Sequence, residues 1–116
     1  MISGQELFAE RERIKTSLEN SLKRAYSNGI EAAEATRRYR IALNNEIMRQ
    51  KADGTAVTII DKVAKGTEEV ATAEYEMNVA EVKYRASNEN IMAQKKLFDS
   101  IEADIKREYF RGEQDG

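Results

Sequence analysis

From Val70 to Ile105 a large residue returns at every seventh position: Val70, Met77, Tyr84, Ile91, Phe98 and Ile105. Three residues after each stand Ala73, Ala80, Ser87, Gln94, Ile101 and Glu108. A repeat averaging 3.5 residues, held for about five heptads, keeps one side of a helix facing a partner helix along a left-handed seam. No strand has that period. The seam predicts an interface built on Val70, Met77, Tyr84, Ile91, Phe98, Ile101 and Ile105. The first half of its second column is small (Ala73, Ala80, Ser87), which lets a partner helix approach closely. Glu69, Glu74, Glu76, Glu81, Lys83, Lys95 and Glu102 flank the seam.

The first half of the chain carries a less regular stripe of Leu7, Ile14, Leu18, Leu22, Ala25, Gly29, Ala32, Thr36, Tyr39, Leu43 and Ile47. Its small middle is suited to receiving large residues of the last helix, Tyr84 and Ile91 included. Asp53-Gly54 and Gly66-Thr67 separate the two long segments. The coarse prediction is a helix over about 5–52, a connector helix over about 59–65 and a helix over about 68–111, forming a single domain over 1–116. At 1.5 Å per residue each long helix would span roughly 65–70 Å. The expected fold is all-α: a long antiparallel, coiled-coil-like helical hairpin with a short connecting helix, dimerising into a four-helix bundle.

Two details are left open. Asn28 followed by Glu31 has the spacing of a capping box, which would break the first helix near Gly29 and give three helices; continuous phase across Gly29 argues for one helix. In the connector, Thr58 is placed to cap the short helix, Gly66 to end it in a left-handed conformation, and Thr67 to cap the last helix. Val57, Ile59, Ile60 and Val63 are either a plug for the closed end of the hairpin or a tip for docking a partner.

Composition narrows the function classes. The 116 residues contain no Cys, His, Pro or Trp. That removes disulfides, thiol nucleophiles, Cys-ligated zinc and the side chain best suited to proton transfer near neutral pH. Pairs such as Glu31/Glu34 and Glu68/Glu69 read as solvated helix faces, and a di-metal bundle normally adds Glu-x-x-His motifs. No two glycines have the spacing of a phosphate-binding loop. No catalytic, metal-binding or cofactor-binding residue is expected, and the protein reads as a non-enzyme. The opening Met1-Ile2-Ser3-Gly4 leads into charged residues and no run of about 18 apolar residues occurs, so no secretory signal, no membrane span and a cytoplasmic location are expected.

Charge is unevenly placed. Residues 1–52 hold ten Lys/Arg and seven Asp/Glu, whereas residues 53–116 hold nine and fourteen. A basic half and an acidic half suit antiparallel helices that attract each other. Arg37-Arg38-Tyr39-Arg40 is the candidate nucleic-acid contact, with three guanidiniums for phosphate and an aromatic ring for a base; the same arginines could instead pair with the acidic last helix. Arg11, Arg13 and Lys15 alternate with Glu10 and Glu12 as a solvated face. Tyr26, Ile30 and Ile41 on the first helix, and Val79, Val82, Met92 and Leu97 on the last, fall beside the seam. Such a surplus of apolar surface predicts self-association as a homodimer or higher oligomer.

Tyr39-Arg40-Ile41-Ala42-Leu43, Glu46-Ile47-Met48-Arg49, Asp53-Gly54-Thr55-Ala56-Val57-Thr58-Ile59-Ile60 and Val79-Ala80-Glu81-Val82-Lys83-Tyr84 together resemble small helical proteins encoded by temperate phages and prophages of Gram-positive bacteria. The likeness covers about residues 30–110. Those proteins often carry Pro before the connector Val; here Ala56 stands in that place. The resemblance implies a phage origin, among early or replication-region genes, and implies no catalytic residues. The expected partners are a second copy and another protein of host or phage, acting in the host cytoplasm. Modulation of host replication, recombination or defence is the role so implied.

Overall fold

The computed structural model describes residues 3–115, with side chains through residue 112. Met1, Ile2 and Gly116 of the expected 1–116 domain lie outside the described residues. Three helices account for the described fold: α1 (Gly4–Ala52), α2 (Ile60–Lys65) and α3 (Glu68–Asp115). No strand occurs among the described residues. The last helix thus runs beyond the expected residue 111.

Local chemistry explains where the helices begin and end. At the start of α1 the Ser3 hydroxyl accepts a hydrogen bond from the Glu6 N–H at 3.1 Å, and the Glu6 carboxylate accepts one from the Ser3 N–H at 3.1 Å. This reciprocal capping box satisfies two N–H groups that a helix start leaves without partners. Across Gly29 the helix continues unbroken, so Asn28 and Glu31 form no cap. A helical Gly costs about 1 kcal/mol relative to Ala, which the packing on either side tolerates.

α1 ends through Gly54, the one described residue with positive φ, at 83°. The Gly54 N–H bonds the Lys51 carbonyl at 3.1 Å and the Thr55 N–H bonds the Gln50 carbonyl at 3.0 Å. That is a Schellman closure, and glycine adopts its left-handed residue without strain. The sequence reading gave the left-handed role to Gly66, but Gly66 has φ −83°. Ile59, not Thr58, occupies the N-cap of α2 and makes no side-chain cap. The Thr67 hydroxyl donates back to the Ala64 carbonyl at 2.7 Å. Residue type alone misplaces these caps because α2 is only six residues long and its last turn is closed by the Gly66 N–H on the Lys62 and Val63 carbonyls.

The chain divides into two compact units, residues 1–25 with 86–116 (unit 1) and residues 26–85 (unit 2). Each pairs a stretch of α1 with an antiparallel stretch of α3. In unit 1, Leu7, Ile14 and Ile101 are buried together, with Phe98 and Ile105 packed against them. An ion pair joins Arg11 to Glu102 at 3.3 Å. Further along, the Asn90 amide donates to the Ser21 hydroxyl at 2.8 Å, and Ser87 is buried nearby in sequence. In unit 2 the seam is made of alanines: Ala32, Ala35 and Ala80, with Met77 against them. Lys83 reaches Glu31 across the pair at 3.9 Å. Ile60, Ala64 and Val70 are the buried residues around the connector.

The heptad columns of α3 face inward, with Val70, Ala80, Ser87 and Ile101 buried and Met77, Ile91, Phe98 and Ile105 half-buried. Two positions depart from expectation. Leu22, placed in the stripe of the first helix, is exposed, and its neighbour Ser21 turns inward. Tyr84 lies at the seam but remains 40% exposed. Its ring lies over Gly29: a Cβ there would meet Tyr84 Cε1 at 3.0 Å and Cζ at 3.3 Å. The small residue thus leaves room for the ring, which stays partly exposed.

Candidate interaction surfaces

Four surfaces carry the residues singled out above. The first is the exposed back of unit 2. A helix turns about 100° per residue. On that count Tyr26, Ile30, Ala33, Ile41 and Met48 share one stripe of α1, interrupted by Arg37 and Asn44 and roughly 120° around from the row Gly29, Ala32, Thr36, Tyr39 and Leu43 that faces α3. Tyr26 is 75% exposed and Met48 58%. On α3, Tyr75, Val79 and Val82 form a stripe about 170° from Val70, Met77, Ala80 and Tyr84. Tyr75 is 69% exposed and Val82 60%, with Val79 half-buried. Both helices of unit 2 therefore have an apolar row on the seam and another on the back. The surplus residues expected from sequence are accounted for: Tyr26, Ile30, Ile41, Val82, Met92 and Leu97 are all exposed.

The second is the connector. Val57, Ile59 and Val63 are exposed, whereas Ile60 is buried. The apolar cluster thus splits: Ile60 is the plug and drops out of any docking tip. With hydrophobic residues on more than one side of a one-and-a-half-turn helix, only one side can be covered. Lys65 reaches Asp61 at 3.1 Å, and that carboxylate raises the Lys65 pKa.

The third is the basic run. Arg37 lies beside Glu34 at 4.0 Å rather than beside an acid of α3. Arg37, Arg38 and Arg40 are exposed, but Tyr39 is half-buried and its hydroxyl donates to Glu74 of α3. Burial first, and then this hydrogen bond, push the Tyr39 pKa up. Tyr39 and Arg40 are neighbours in sequence, yet the helix turns their side chains about 100° apart. A patch presenting arginines and an available aromatic ring together, as expected from sequence, is not formed. Arg38 instead borders a groove of about 360 Å³ with Glu31, Ala35, Tyr75, Glu76 and Val79.

The fourth surface was not anticipated. In unit 1, Leu7, Phe8, Ile105, Tyr109 and Phe110 line a groove of about 390 Å³ together with Gly4, Lys106 and Glu108. Phe8, Tyr109 and Phe110 are exposed, and the last two meet edge to face with ring centres 6.4 Å apart. Arg11 sits 5.7 Å above the Phe8 ring while paired with Glu102. Arg11 is thus a link between helices, not part of a plain solvated face. The signal was present as Leu7-Phe8 and Tyr109-Phe110 near opposite chain ends, which antiparallel pairing brings together.

No group of three or more acidic side chains among the described residues is placed to hold a metal ion, and no described helix is long and apolar enough to cross a membrane. No protein-family model, curated protein or solved structure matches the chain.

Proposed function

We propose that this chain is a non-enzymatic, phage-encoded helical interaction protein that works in the host cytoplasm by associating with copies of itself and with another protein of host or phage. The observation that carries the reading is the apolar back of unit 2. Tyr26, Ile30, Ile41, Met48, Tyr75 and Val82 face outward there, while Ala32, Ala35 and Ala80 are the residues buried in the middle of its seam. Burying one Ile, Val or Met side chain gains about 1.5–3 kcal/mol, so covering several of them offers ample driving force for association. Two hairpins meeting through such surfaces contribute four helices, as in the dimeric four-helix bundle expected from sequence. The phage origin is supported by the resemblance over about residues 30–110, and the absence of His and Cys from the sequence supports the non-enzymatic reading.

Sedimentation velocity on the full chain tests it. A sedimentation coefficient that rises with concentration through the micromolar range is expected. A single monomeric species throughout that range would overturn the reading.

A further inference from the structure

Charged pairs one helical turn apart recur along this molecule and are open to water. In the Glu10–Arg13, Asp104–Arg107 and Glu108–Arg111 pairs the acidic side chains are 35–40% exposed. Glu46 differs: beside Arg49 its side chain is only 11% exposed. It also takes a second partner. Arg49 Nε donates to Glu46 Oε2 at 2.9 Å, Arg49 Nη2 donates to Oε1, and the Gln50 amide donates to Oε1 at 2.8 Å. The bonds from Arg49, and then that from Gln50, hold the Glu46 carboxyl below the usual carboxylate range.

The bonding does not stop there. Gln50 Oε1 accepts a hydrogen bond from the Thr55 hydroxyl at 2.7 Å, and the Gln50 carbonyl accepts one from the Thr55 N–H at 3.0 Å. Arg49 Nη1 reaches Asp53 at 3.6 Å. A continuous polar chain therefore runs from Glu46 through Gln50 to Thr55, across the turn at Gly54. Thr55 is followed directly by Ala56 and Val57, and both Val57 and Ile59 are exposed. A carboxylate so well covered costs stability unless it is paired, and an apolar residue of similar volume often serves such a place as well or better.

We propose that Glu46 is the hub of a clasp that fixes the path of the connector: it orients Gln50, Gln50 holds Thr55, and Val57 and Ile59 are thereby presented in one arrangement. The hub acts on the connector and not on the seam between the long helices. The clasp does not depend on self-association, since every group in it belongs to one chain. With the hub removed, Gly54 keeps its turn, but Thr55 loses the side-chain bond that ties it to α1. The stretch from Thr55 to Ile59 then opens more readily on its own, while the helices stay paired.

Amide hydrogen exchange, read residue by residue on the full chain, tests the clasp. Glu46→Leu removes the hub and Thr55→Val the far end. Circular dichroism verifies that each variant keeps its helix content, and Glu46→Ala replaces Glu46→Leu if that variant does not. The Thr55 and Ile59 amides, bonded to the Gln50 and Ala56 carbonyls, are expected to exchange about fivefold faster in both variants. That is the change that losing one net hydrogen bond brings to a local opening. The Ala32, Ala35 and Ala80 amides of the seam are expected to stay within about twofold of their rates in the unaltered chain. Unchanged exchange at Thr55 and Ile59 in both variants overturns the clasp. So does faster exchange in only one of them, which breaks the chain between Glu46 and Thr55. Equal acceleration of the seam amides overturns it too, because Glu46 then supports the hairpin as a whole.

Discussion

Unit 1 and unit 2 are built from the same two helices by opposite means. Unit 1 buries large side chains, Leu7, Ile14 and Ile101, at its seam. Unit 2 buries Ala32, Ala35 and Ala80 in the middle of its seam, with Ile60 and Val70 buried near the connector, and carries Tyr26, Ile30, Ile41, Met48, Tyr75 and Val82 on the outside. Close approach of small residues brings backbones together, but an alanine contributes little transfer free energy, since the gain scales with apolar area removed from water. Both units expose large apolar residues, Phe8, Leu22, Met92, Leu97, Tyr109 and Phe110 in unit 1 among them, so the contrast lies in the seams. Covering the exposed side chains of either unit would add to what its own seam supplies.

Substitutions can break or sharpen that contrast, and thermal or denaturant unfolding at one fixed protein concentration reads them, because association adds to apparent stability. The largest effect is expected in unit 1. Ile101→Ala should cost about 2–5 kcal/mol, the range for emptying a buried site of that size. A loss under about 1 kcal/mol would mean that unit 1 does not depend on its seam. Next comes Ala35→Leu in unit 2, where extra methylenes have no room between the helices; about 1–3 kcal/mol should be lost. A neutral outcome would show the alanine seam to be loosely packed.

Ser21→Ala leaves the Asn90 amide without its partner in unit 1 and should cost about 1 kcal/mol. A stabilising result would show that the polar pair serves only to fix register. Gly29→Ala is expected to change stability by less than about 1 kcal/mol, since the helix-propensity gain of about that size is set against displacement of the half-exposed Tyr84 ring. Combined with Tyr84→Ala, the same change should become stabilising relative to Tyr84→Ala alone; a loss there would place the conflict elsewhere than the ring.

The smallest effect is in the pH dependence. Tyr39 has its pKa raised by burial and by Glu74. The folded state holds this proton more tightly than the unfolded chain does. Its contribution is therefore fully present below the ordinary tyrosine value of about 10 and is lost as pH rises through the folded pKa. Tyr39→Phe should flatten the alkaline limb of the stability curve, and identical limbs for variant and parent would remove Tyr39 from the account.

Much of this was legible in the residues. The heptad of α3 named its inward face almost position by position, because a 3.5-residue period leaves one side of a helix no choice. The surplus apolar residues were equally plain, as they fell off that period. Three kinds of feature were not. Caps were misassigned at Thr58 and Gly66, since several Thr and Gly lie within one loop and only the backbone path selects among them. The inward turn of Ser21 beside an exposed Leu22 depends on which side of α1 meets Asn90. Tyr39 was grouped with three arginines by adjacency, whereas on a helix adjacent side chains diverge.

What the sequence by itself determined is the length and type of the helices, the face of α3 that meets its partner, and the presence of unspent apolar surface. Periodicity and composition are local properties, and they suffice for those. Only the tertiary structure decided that the seam of unit 2 is alanine-thin, that Tyr84 lies over Gly29, that Phe8 and Phe110 share one groove, and that the spare rows lie on the backs of the helices. Each of these depends on the azimuth at which two helices meet, and that angle is set by how side chains from distant parts of the chain fit together.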